Sequence, residues 1–157
     1  MKTTIGLTDK QRKGVAEILA RVLADEYVLL VKTKNYHWNV KGPHFHDLHK
    51  LFDEQYEELL EVTDEVAERI RSIGEMTPAT MTEWLKLTRL KETPGKHPAY
   101  MKMVEDLLHD HETVIRHLRK DLEACDKDYG DMGDSDYLTG LLEKHEKMAW
   151  MLRATLE

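Results

Sequence analysis

The stretch His44 to Gly74, HFHDLHKLFDEQYEELLEVTDEVAERIRSIG, decides the reading of this chain. From Gly42-Pro43 to Gly74 no Pro or Gly intervenes, and Leu51, Phe52, Leu59, Val62, Val66, Ile70 and Ile73 recur with a period near 3.6, so a long amphipathic helix is expected. With His49 at zero and about 100° per residue, these apolar residues fall between roughly 200° and 300°. Asp53, Asp64 and Glu68 fall near 40°, 60° and 100°, so they share a face with His49 that points away from the chain's own core. Asp53 and Asp64 stand about 16 Å apart along the axis, too far to hold one ion within one chain. Packing the same face of a second copy antiparallel across a two-fold axis near Glu57 to Leu60 resolves this. His49 and Asp53 of one copy then meet Asp64 and Glu68 of the other in two identical shared sites. Imidazole nitrogen with carboxylate oxygen suits iron, manganese or zinc.

The remainder of the chain extends the helical pattern. Thr8-Asp9-Lys10-Gln11 has the form of a capping box, opening a first helix that carries Val15, Ile18, Leu19, Val22, Leu23 and Leu29. A long connection from Thr77-Pro78 to Pro94-Gly95 leaves room for a short helix in Met81 to Leu90. A third helix is expected from about Pro98 to Lys127, an Asp- and Gly-rich loop from Asp126 to Asp136, and a last helix from about Asp136 to Leu156. The fold class is therefore all-α: a ferritin-like four-helix bundle with a short extra helix in the crossover between the second and third helices. At 157 residues it reads as one domain, 1–157, with a short flexible segment at 1–7.

Composition narrows the function. A net charge of −7 argues against a surface built wholly for nucleic acid, and the single cysteine, Cys125, excludes an internal disulfide framework and a cysteine-built zinc site. No apolar run reaches signal or membrane-span length, so a cytoplasmic protein without membrane attachment is expected.

His37-Trp38-Asn39-Val40-Lys41-Gly42, followed by Phe45, Leu48-His49, Phe52-Asp53 and Asp64-Glu65-Val66-Ala67-Glu68-Arg69, closely resembles the Dps family of miniferritins, and the likeness extends to Trp150 in the last helix. The resemblance implies a dodecamer built from two-fold dimers. It also implies a ferroxidase centre in which the residues matching His37 and His49 come from one subunit, and those matching Asp53, Asp64 and Glu68 largely from its mate. Each such site takes iron, Fe(II) and Fe(III), two ions per site, with zinc or manganese able to substitute. Relatives oxidise Fe(II) with hydrogen peroxide in preference to dioxygen and store the ferric product in the shell, protecting the cell from oxidative damage. The aromatic matching Trp38 flanks that centre. Acidic residues from the region of Asp126, Asp131, Asp134 and Asp136 line pores in relatives, which makes these four candidates for a cation entrance.

DNA binding in relatives depends on a lysine-rich terminal arm. Before Thr8 this chain has Lys2 alone, and Leu152 to Glu157 offers only Arg153, so DNA contact is expected to be weak or absent. The rival reading is a nucleoid-associated DNA-binding protein with little ferroxidase activity. A di-iron oxygenase is disfavoured because no Glu-x-x-His lies on an inward face. His44, His46, His109, His111 and His117 read as surface or packing residues.

Overall fold

The computed structural model describes residues 3–157 and is helical among them, so the expectation for the segment 1–7 falls partly outside the described residues. In chain order the elements are α1 (Asp9–Asn39), α2 (Phe45–Ser72), α3 (Met81–Leu87), α4 (Tyr100–Lys127) and α5 (Met132–Leu156). Contacts fix their directions. His37 meets His49 and Arg12 meets Ile73, so α2 runs opposite to α1. Tyr36 meets Asp106 and Lys32 meets Asp110, so α4 also runs opposite to α1. Helices α2 and α4 are thus parallel, and the chain joining them must travel back along the bundle, which gives the long crossover its purpose.

Local chemistry sets the ends. Thr8 Oγ1 accepts the Gln11 backbone N–H while Gln11 Oε1 accepts the Thr8 N–H, closing the expected capping box. Gln11 Nε2 also donates to the Tyr129 carbonyl, tying the start of α1 to the α4–α5 turn. Replacing Thr8 by Ala should lower stability by about 1 kcal/mol, read as a small fall in the thermal midpoint with helix content retained. The crossover repeats the motif at Thr80 and Glu83 and stacks Trp84 on Tyr27 of α1, ring centroids 3.6 Å apart.

The apolar stripes face inward as read. Phe52, Leu59, Val62, Val66 and Ile70 of α2 are fully buried, together with Val15, Leu19, Leu23 and Leu29 of α1. One boundary differs from expectation, because α5 begins at Met132 rather than near Asp136. Gly130 turns the chain at φ +65°, and Asp131 then caps the helix, its Oδ1 accepting the Asp134 N–H at 3.0 Å.

Candidate metal centre

The last turn of α1 and the second turn of α2 meet at His37 and His49. His37 Nδ1 lies 2.8 Å from the His49 carbonyl, and His49 Nδ1 lies 2.8 Å from the His37 carbonyl. A carbonyl only accepts, so each Nδ1 carries a hydrogen, and in the neutral imidazole the lone pair is the one on Nε2. The rings stack with centroids 3.8 Å apart and planes 19° apart. This reciprocal clamp fixes tautomer and orientation of both imidazoles before any ion arrives, as carbonyls bonded to the far ring nitrogen do for metal-binding histidines.

Asp53, one turn beyond His49, places Oδ1 3.7 Å from His37 Nε2. That is beyond hydrogen-bonding distance, so the two groups flank a gap rather than satisfy one another. Asp53 therefore lies beside His37 of its own chain. Tyr56, a turn further on, has its phenol pKa raised, chiefly by the neighbouring Asp53 carboxylate. Its ring meets His37 edge-on at 5.2 Å. Lys34 Nζ lies 4.7 Å from the Tyr56 ring and 5.9 Å from that of Trp38. Trp38 is 68% exposed and so is not a core residue.

Asp64 and Glu68 occupy the same face of α2 further along, exposed and without a hydrogen bond or ion pair among the described residues. No three ligand-type side chains gather around one point among those residues. The chain thus carries two separated partial ligand sets: a clamped His37–His49 pair with Asp53, and a free carboxylate pair.

The four aspartates expected at a pore divide. Asp126 and Asp136 are exposed, but Asp131 is buried as the α5 cap. Asp134 is fully buried on Arg69, Nε to Oδ1 2.5 Å, and burial pushes its carboxyl up to about 6 against the pull of the guanidinium. Neither buried carboxylate is free to line an entrance.

Sequence reading passed over Lys34 and Tyr56. Their signal was positional: Lys34 precedes His37 by three residues and Tyr56 follows Asp53 by three, spacings that put each one turn from a ligand.

Residues 16–157 match the ferritin-like domain family. An uncharacterized low temperature-induced protein of Nostoc is 48% identical over 156 residues, covering 99% of this chain and 87% of that protein. The DNA protection during starvation protein 2 of Bacillus anthracis is 42% identical over 144 residues, 92% of this chain and 97% of the relative. DpsC from Streptomyces coelicolor superposes with a TM-score of 0.95 at 29% identity, covering all of this chain and 91% of that one. With the ferritin-like match, these relatives and the bundle geometry agreeing over nearly the whole length, the chain belongs to the Dps family of ferritin-like proteins.

Proposed function

We propose that two copies pair antiparallel across α2. His37, His49 and Asp53 of one then face Asp64 and Glu68 of the other, and each shared site oxidises Fe(II) with hydrogen peroxide for storage as ferric mineral inside a dodecameric shell. The observation that carries this reading is the histidine clamp: two imidazoles whose Nδ1 atoms are both spent on carbonyls, leaving Nε2 as the atoms available to a cation.

Iron is substrate and cargo here. Neutral Nε2 donors add affinity for the ferrous ion, while hard carboxylate oxygens hold both oxidation states and favour the ferric one. The carbonyl clamp holds the rings, so little reorganisation of the imidazoles accompanies binding. Two ferrous ions supply one electron each, the peroxide O–O bond breaks, and two protons complete two waters, so no hydroxyl radical is released. Zinc and manganese fit the same donors and act as competitors. DNA contact is weak in this reading, resting on Lys10 and Lys13 in the first turns of α1. Among the described residues no helix is long and apolar enough to cross a membrane.

Light scattering combined with anaerobic iron titration tests the proposal. A particle of twelve chains that consumes two ferrous ions per peroxide, faster than it reacts in air, is expected. A monomer or dimer across physiological salt and pH leaves no cavity for mineral and rejects storage. One ferrous ion per peroxide, with trapped hydroxyl radical, rejects the paired-iron chemistry.

A further inference from the structure

The bundle core holds a second polar constellation, buried and built from three helices. Glu26 of α1, His145 of α5 and His111 of α4 are each 0% exposed. Glu26 Oε1 lies 2.9 Å from His145 Nε2, and His145 Nδ1 lies 2.9 Å from His111 Nδ1. The two outer atoms of this chain, Glu26 Oε2 and His111 Nε2, are buried without a hydrogen-bond partner. His145 presents its two nitrogens in opposite directions, so the donors are strung in line rather than gathered around a point, and among the described residues no metal cage forms.

Proton counting shows what such a line does. Two facing Nδ1 atoms at 2.9 Å hold one hydrogen between them, because two N–H groups would collide and two lone pairs would repel. The same holds between Glu26 and His145. With both imidazoles neutral and Glu26 ionised, a bare carboxylate sits in the core, a costly state. One additional proton cancels the charge. It has two placements, the unpartnered ends Glu26 Oε2 and His111 Nε2; in the second the hydrogen shared between the rings sits on His145, which is then an imidazolium facing Glu26 while His111 stays neutral. A second additional proton leaves a net positive charge with nothing to offset it. Asp110, beside His111 on α4, is already paired with Lys32 of α1. Tyr137 on α5, with its hydroxyl buried and unpartnered, feels Glu26 and, from α2, Glu65, and it stays protonated.

We propose that Glu26, His145 and His111 form an acid-sensing chain in the bundle core, holding one shared proton near neutrality and loosening the helix packing when acidification forces a second proton onto it. The sign follows from His111, whose pKa is held well below its usual value, first by burial and then by His145. In the unfolded chain this imidazole binds its proton near pH 6.5, whereas in the fold it does not, so unfolding takes up a proton and stability falls as pH drops from about 6.5.

The test compares urea unfolding of the full-length protein and of His111→Phe between pH 6.5 and 5. The wild type should lose stability more steeply, its unfolding constant rising roughly tenfold per pH unit per chain relative to the variant. Asp134 titrates in this window with the opposite sign but is common to both proteins, so the difference isolates His111. Equal slopes overturn the proposal. Should His111→Phe not fold, pH-dependent deuterium exchange at the imidazole C2–H, read by mass spectrometry on wild-type peptides, decides. His111 should show no inflection down to pH 5, and an inflection of His111 near 6.5 overturns it. Elemental analysis of a His37→Ala/His49→Ala protein checks the alternative occupant: one tightly retained metal per chain overturns the proton assignment, and its absence supports it.

Discussion

Co-refolding a His37→Ala/His49→Ala variant with an Asp64→Ala/Glu68→Ala variant should restore about one quarter of the wild-type complement of rapid peroxide-dependent iron-oxidation sites, from two parents that each have none. Each parent dimer holds two incomplete sites. In a mixed dimer one site combines the intact histidines of the second protein with the intact carboxylates of the first, and the other site loses all four ligands. Random pairing makes about half the dimers mixed, each with one complete site of two, hence the quarter. The prediction depends on the separation seen in one chain, where His37 and His49 are clamped together and Asp64 and Glu68 stand apart on the same helix face. Tagged subunits that co-purify in mixed shells yet oxidise iron no faster than either parent would show that each site is completed within a single chain.

Helix α2 shows how much a sequence discloses when one element carries two patterns. Its apolar stripe and its ligand stripe are both local, and the structure buries Phe52, Leu59, Val62, Val66 and Ile70 while leaving Asp64 and Glu68 exposed. The clamp at His37 and His49 was not legible, because it depends on the α1–α2 corner bringing two backbone carbonyls within reach of two rings. The loop expected to reach Asp136 failed for a related reason. Asp and Gly composition suggests irregular chain, but the Asp131 cap and the distant Arg69 convert Asp131 and Asp134 into structural residues. The core triad left a trace that residue-by-residue weighing passed over. His111 falls on the stripe of Met103, Leu107, Val114 and Leu118, and His145 on that of Leu138, Leu141, Met148 and Leu152. Each alone reads as a packing histidine. Only the tertiary arrangement of three helices aligns them with Glu26.

The crossover carries the largest single-residue stability effect we expect outside the hydrophobic core. Arg89 Nε lies 2.7 Å from Asp25 Oδ2 and its Nη1 2.7 Å from Asp121 Oδ2, so one guanidinium joins α1 to α4. Asp25 is fully buried and also accepts the Thr88 hydroxyl and the Arg89 backbone N–H. Arg89→Met keeps most of the side-chain volume but leaves two largely buried carboxylates without a counter-charge, a loss of about 3–5 kcal/mol. Urea unfolding at fixed chain concentration measures it, since assembly makes the midpoint depend on concentration. Adding Asp25→Asn and Asp121→Asn to the Arg89→Met protein should recover a large part of the loss, because the cost lies in the stranded charges rather than in the missing contacts. A loss below about 1 kcal/mol for Arg89→Met would mean that water reaches both carboxylates, and that the crossover is held mainly by Trp84 stacked on Tyr27. The expected outcome instead makes Arg89 the pin that lets α2, with its exposed carboxylate pair, lie parallel to α4.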